Sequence, residues 1–263
     1  AARIAALKGH RVTLAEASTR LGGAAQVARR APRRTGIGDI CDWLEHEVYR
    51  LGVTVQLSTF IAADDVRRLS PDILIVATGS LPRLDGRQHL APGHEVRGFD
   101  EANVVSSHDL LLDTRGRDWG KSALVFDDCG HYEAVAAAEF LVNKGVRVTF
   151  ATSLASFAPG LEPSFSAEPA LQRLAKGSFR LISYARLDST AQGRSTLSRR
   201  FGGPSIRIKS DTVVFVSHNQ CNRELIDDLQ DWSGRLIAVG DVRSPRYLQT
   251  AIREGHLAAR GLD

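Results

Sequence analysis

Apolar positions along the chain follow two rhythms. Unbroken apolar runs, as at 72–77 and 122–126, are what a strand buried on both faces requires. Elsewhere, at 1–7, 40–51, 132–143 and 247–260, apolar and Ala positions recur at three- and four-residue spacing and predict helices. One pattern occurs twice: residues 7–16, LKGHRVTLAE, align with residues 143–152, NKGVRVTFAT. Each reads as a helix end, a Gly suited to the left-handed stop, and a β-branched strand, the second half of a βαβ unit. The second copy is whole, with a strand at 122–126, a turn at 127–131 and a helix at 132–143. The first copy opens inside its helix, so its matching strand and turn are expected upstream of Ala1. Further strands are predicted at 53–57, 211–216 and 235–239, and residues 187–209, rich in Arg, Ser and Gly, read as a polar hairpin or meander. Strands alternating with helices predict an α/β fold with parallel sheets, in two such domains or one inserted in the other.

Composition narrows the class. The 263 residues, 43% hydrophobic and 24% charged, describe an ordinary globular chain and exclude a disordered or collagenous one. No apolar stretch approaches membrane-spanning length, and residues 1–14 lack the core of a signal peptide, so neither membrane nor export is expected. Cys41, Cys129 and Cys221 are odd in number and widely spaced, which excludes an internal disulfide framework or a CxxC pair and fits a reducing cytoplasm, the expected compartment. Methionine is absent, and Ala1 to Leu7 read as a helix interior without a cap; the expectation is a piece of a longer protein. The net charge of +4 is mild. Its one dense run, Arg29, Arg30, Arg33 and Arg34, is either a solvated loop or an anion contact, and no basic stripe interleaved with aromatics points to nucleic acid.

Candidate chemistry sits at strand ends. Glu16 closes the strand of the first repeat, where an acidic side chain accepts from adenosine ribose hydroxyls and disfavours a 2′-phosphate. Gly22 and Gly23 follow closely and allow a backbone to approach a pyrophosphate or flavin. Ala77, Thr78 and Gly79 close the strand at 72–77, small enough to admit a ligand beside the sheet. Gly240 and Asp241 close the strand at 235–239, ahead of a helix whose start could face phosphate; helix capping is the alternative role for Asp241. His10, His89, His94, His108, His218 and His256 show no metal-ligand spacing, so no metal site is expected. No catalytic residue is assigned; a structural role is expected for His131, Tyr132 and Glu133, and a packed thiol for Cys129.

The order LxGHxVTLxEAxxxLGG, then PDILIVATGS, then a second βαβ unit, then IAVGDxxSPRYLQTAIREGH resembles the carboxyl-terminal half of the old-yellow-enzyme-related NADH:flavin oxidoreductases, typified by trimethylamine dehydrogenase and 2,4-dienoyl-CoA reductase. The resemblance covers essentially the whole chain. It implies two Rossmann-like domains of the disulfide-reductase type: 1–118 plus 236–263 binding FAD or ADP, and an inserted NAD(P)-type domain at 119–235. It also implies an upstream (β/α)8 barrel with FMN and a 4Fe-4S cluster, an electron-transfer partner and a homo-oligomer. Carried over by position, Glu16 would hold the ribose, and Ala17, Leu21, Gly22 and Gly23 would lie along the cofactor. Phe60 and Ile61 would flank the adenine, and Ala77, Thr78, Gly79, Gly240 and Asp241 would line the rest. Leu248, Gln249 and Thr250 would meet the phosphate or ribityl region.

One stretch departs from the pattern. Where the reductases carry GxGxxG, residues 127–133 read DDCGHYE, with two carboxylates where a pyrophosphate would sit and one Gly. Thr152, the counterpart of Glu16, offers no carboxylate. This favours amine-dehydrogenase-like over dienoyl-CoA-reductase-like chemistry and argues against NAD(P)H in the inserted domain. The competing reading is a vestigial Rossmann pair with a structural or docking role; a thioredoxin-reductase type would need the missing CxxC.

Overall fold

The computed structural model describes residues 1–99 and 103–262. It contains two compact units, one formed by Ala1–Arg29, Arg34–Leu81 and Asn219–Asp263, the other by Arg30–Arg33 and Pro82–His218. The second unit is therefore an insertion within the chain of the first.

In the inserted unit, five strands form one sheet in the order Val104–Val105, Thr212–Val216, Ser122–Asp127, Arg147–Thr152 and Phe179–Ile182. All the pairings are parallel. The Ser122–Asp127 strand is central and buried throughout, as its unbroken apolar run requires. Its side chains alternate between the faces with the two-residue period of a strand. Val125, Val148, Phe150, Val214 and Val216 face the helix Tyr132–Asn143 and Leu110 of the short helix Ser107–Leu112. Leu124, Phe126, Val213 and Phe215 face the other way, onto Leu187, Leu197 and Ile208. Those three residues belong to the antiparallel strands Ala185–Ala191, Arg194–Arg199 and Ile206–Lys209, which realise the expected polar meander. The meander is polar because only alternate side chains reach the core.

The first unit repeats this plan without its centre. Thr13–Ala15 pairs in parallel with Thr54–Gln56, and Ile73–Val76 with Arg235–Ala238. These correspond to the two flanks of the inserted sheet. Among the described residues nothing pairs the inner edges as Ser122–Asp127 does in the other unit. The consequence corrects one expectation: Ile73, Leu74 and Ile75 are half-buried rather than closed on both faces, and only Val76 is buried. The short helix Ala2–Leu7 packs against Leu248–Arg260, with Ala5 and Ala259 meeting Val12, Ile75 and Ile237.

Boundaries also differ from expectation. The unit junctions fall at 81/82 and 218/219, not at 118/119 and 235/236. Val104–Val105 adds a strand to the inserted sheet beside Thr212–Val216, and Leu110 packs in that unit's core, which draws 82–118 into it. Among the described residues no helix is long and apolar enough to cross a membrane.

Phe126 and Phe215 are fully buried and stack with centroids 5.5 Å apart. Phe126→Ala should therefore destabilise the inserted unit by about 3–5 kcal/mol, measured as a lower urea midpoint with an unchanged slope.

Candidate functional site

The first unit gathers two groups of predicted residues at the carboxyl ends of its strands. Glu16 follows the Thr13–Ala15 strand, where its backbone extends the pairing by donating to Gln56 O at 2.9 Å. Ser18 holds its carboxylate: the Ser18 amide donates to Oε1 at 2.8 Å and the Ser18 hydroxyl at 2.7 Å. Both bonds end on one oxygen, so Ser18 leaves Oε2 unoccupied. Thr59 N donates to Glu16 O and Ser58 N to Ser18 O, each at 2.9 Å. The Glu16 loop and the loop carrying Phe60 are thereby tied together. Phe60, on the tied loop, is 69% exposed, whereas Ile61 packs inward on Ala63, Val66 and Leu229.

Ala17 and Leu21 lie on the chain between Glu16 and the paired glycines. Gly23 precedes the helix Ala24–Ala28 with φ +50°, and a side chain there would meet nothing within 4 Å. The backbone is thus bare toward open space, as a close-approaching ligand needs. The basic run resolves in part: Arg29 pairs through two bonds with Asp42, at 2.8 and 2.9 Å, holding the Asp42 carboxyl below its usual range.

The second group lies where Ile73–Val76 and Arg235–Ala238 end side by side. Val239 N donates to Val76 O at 3.0 Å, which brings Ala77, Thr78 and Gly79 next to Gly240 and Asp241. Thr78 Oγ1 donates to Asn222 O at 2.7 Å. Asp241 accepts from Arg246 N at 3.1 Å and from Ser80 Oγ at 3.4 Å, so it fixes the turn leading to the helix Leu248–Arg260. Glu254 reaches back from that helix to accept from Gly240 N at 2.8 Å, and this bond, with Arg246 beside it, holds its carboxyl below the usual range. No side chain caps the helix start. Leu248 and Gln249 are exposed there, and Thr250 is half-buried.

Sequence reasoning missed Ser18, Asn222 and Glu254. Ser18 had a signal, since a hydroxyl two residues from an acid commonly closes a local loop. Asn222 and Glu254 had none, because their partners lie far along the chain or across a turn.

The equivalent turn of the inserted unit is filled from within. Asp127 ends the central strand fully buried, and its Oδ1 accepts from Cys129 N at 3.1 Å and Gly130 N at 2.8 Å. Thr152 Oγ1 donates to its other oxygen at 3.2 Å. These are the amides that an anion at such a turn would use. Gly130 sits at φ +67°, and a Cβ there would lie 2.4 Å from Leu154, so only glycine fits. Asp128, also buried, accepts from Ser153 Oγ at 2.7 Å, Ser217 Oγ at 3.1 Å and the His89 amide. The expected clash of two carboxylates with a ligand thus takes the form of two carboxylates turned inward. Burial pushes the Asp127 carboxyl up to about 6, against the lowering by the Gly130 and Cys129 amides and Thr152. Burial likewise raises the Cys129 thiol, with Glu133 and both Asp adding to it, and the side chain packs on the main core.

No family model matches the chain. A probable N-methylproline demethylase from Rhizobium meliloti is 32% identical over 241 residues, covering 90% of this chain and 34% of that protein. Among solved structures, histamine dehydrogenase from Rhizobium sp. 4-9 superposes with TM-score 0.92 at 24% identity, over 100% of this chain and 42% of that one. Thioredoxin reductase from T. acidophilum superposes with TM-score 0.63 at 15% identity over 98% of this chain and 91% of that one, a likeness of fold. The α/β class and the paired disulfide-reductase-like Rossmann plan are therefore as expected. The chain spans about a third of the length of its demethylase relative.

The raised Asp127 carboxyl carries a sign. Its folded value lies above its unfolded one, so the folded state holds a proton that the unfolded state has lost, and stability falls as pH rises from about 4 to 6. Asp127→Asn should remove that fall. The difference between wild type and variant should change by up to about 3 kcal/mol across the window, read from urea midpoints at stepped pH.

Proposed function

The chain belongs to the carboxyl-terminal part of the NADH:flavin oxidoreductase and trimethylamine dehydrogenase family, and from that premise we propose that it is the nucleotide-binding portion of a flavin-dependent oxidoreductase. The first unit takes the adenosine end of FAD or ADP. Glu16 Oε2 accepts from the ribose hydroxyls while Ser18 fixes the carboxylate, and the carboxylate's charge disfavours a 2′-phosphate. The exposed Phe60 ring offers the adenine a flat face. The bare Gly23 backbone and the uncapped start of Leu248–Arg260 offer amides to phosphate oxygens, with Gly22 packed on Cys41 and Gln26 beneath it and Ala77, Thr78, Gly79, Gly240 and Asp241 completing the wall.

Substrate oxidation belongs to an upstream barrel with FMN and a 4Fe-4S cluster, in a cytoplasmic homo-oligomer with a separate electron acceptor. That barrel, its cofactors and those partners rest on the resemblance. Among the described residues the inner edges of the two strand pairs of the first unit are unpaired, which fits a further strand and a Gly-rich turn, as the whole repeat at 122–152 has. Bound FAD would add a second flavin for electron exchange, and bound ADP would be a scaffold. The amine-oxidising branch is preferred, because the inserted unit has its own carboxylate on the amides that NAD(P)H would need. The same filled turn favours the alternative of a vestigial module for the inserted unit.

The observation that carries the reading is the Glu16 carboxylate, fixed by Ser18 and tied to the loop of Phe60. Full-length protein should release an adenine nucleotide on denaturation, quantified chromatographically. Glu16→Ala should bind it with a loss of about 2 kcal/mol, roughly thirtyfold. A wild-type extract free of adenine nucleotide, or an unchanged content in Glu16→Ala, would leave the vestigial reading standing instead.

A further inference from the structure

The inserted unit carries an arginine-lined cavity that the reading above leaves unused. It measures about 180 Å³, and Gln88, Ser153, Ala185, Arg186, Arg199 and Arg200 are among the residues that wall it. It opens just past the Arg147–Thr152 strand, beside the turn that Asp127 fills. Its cations outnumber its anions. Arg186 Nε is paired with Asp188 at 2.9 Å, and Asp188 also accepts from Ser198 Oγ at 3.0 Å. Arg199 and Arg200 have no carboxylate at ion-pair distance among the described residues. Arg199 donates only a long bond to Ser183 O, at 3.4 Å, with its guanidinium 5.7 Å from the Phe201 ring centroid. Arg200 donates to Ser153 O at 3.3 Å. Ser153, in the cavity wall, gives its hydroxyl to the buried Asp128 at 2.7 Å.

Three planar donor forks around a cavity of this size, two of them without a counter-charge, match the oxygens of a tetrahedral dianion. Aromatic surface lies next to Arg199. Tyr184 and Phe201, chain neighbours of Ala185 and Arg200, stand edge to face at 5.7 Å, and Phe201 is 68% exposed. The buried Gln88 cannot compete for the ligand, because it donates to Leu187 O and accepts from Leu187 N, both at 2.8 Å. With the neighbouring turn amides already taken by Asp127, an extended pyrophosphate has no place there, whereas a single phosphoryl group needs only the arginines.

We propose that the pocket of Arg186, Arg199 and Arg200 binds a phosphate dianion, free or as the monoester of a small organic molecule, independently of the nucleotide of the first unit.

The test is calorimetric titration of the full-length protein with inorganic phosphate, against chloride at matched ionic strength. Wild type should bind phosphate and not chloride. Arg199→Gln with Arg200→Gln should weaken phosphate binding roughly thirtyfold. Arg199→Lys, which keeps the charge and loses the fork, should weaken it by roughly three- to tenfold. Arg147→Ala, at the far end of a strand roughly 17 Å long, should leave it unchanged. Phenyl phosphate distinguishes the sources: tighter binding than phosphate, lost in Phe201→Ala, identifies an organic monoester, and equal binding identifies the free ion. Phosphate binding no stronger than chloride, or retained by the double variant, overturns the proposal. Adenine nucleotide content plays no part in any of these readouts, so this failure and that of the nucleotide reading are separable.

Discussion

The amides of a strand-to-helix turn can serve one anion at a time, and that rule divides the two halves of this chain. In the inserted unit the anion is Asp127, whose carboxylate closes on the amides of Cys129 and Gly130 from inside the fold. In the first unit the acid stands at the next strand end instead. Ser18 occupies one of the Glu16 oxygens and leaves the other unoccupied. The two placements have opposite electrostatic costs. A carboxylate sealed in a core is desolvated and its proton is held more tightly; one at a rim keeps water until a ligand replaces it.

The two sheets show what completeness does. With all five strands present, the inserted sheet buries both faces, one under helices and one under the meander, and its central strand is dry. With two separate parallel pairs, the first unit leaves an equally apolar run, Ile73 to Ile75, half open. The same residue chemistry gives a different burial because a strand is closed by its neighbours as well as by its own side chains.

Much of this was legible in the sequence. The repeat of 7–16 at 143–152 announced the Gly stop and the following strand, and both copies form them. The apolar run at 122–126 announced the central strand, and the helix at 132–143 matches the observed Tyr132–Asn143. Weaker signals were misplaced at their edges. The junction expected at 118/119 falls at 81/82, because Val104–Val105 is too short a strand to read until Thr212–Val216 pairs with it. The helix expected at 40–51 begins at Ile37, since Gly38 and Asp39 interrupt the apolar spacing between Ile37 and Ile40.

The site divides in the same way. A chain carries its strand ends openly, because an acid or a glycine after an apolar run is a local fact; Glu16, Gly79, Gly240 and Asp241 were visible for that reason. Where a carboxylate points is not local. Asp127 and Asp128 looked like an obstacle on a surface, and the fold turned both inward because Thr152, Ser153, Ser217 and the His89 amide converge on them from distant segments. The arginine pocket is of the same kind: Arg186, Arg199 and Arg200 are unremarkable in a polar stretch until the antiparallel register sets Arg199 opposite Ala185. Sequence determined the elements and the chemistry at their ends, through short-range periodicity. Tertiary structure alone decided which charges face water and which face each other, because that depends on pairing between residues far apart in the chain.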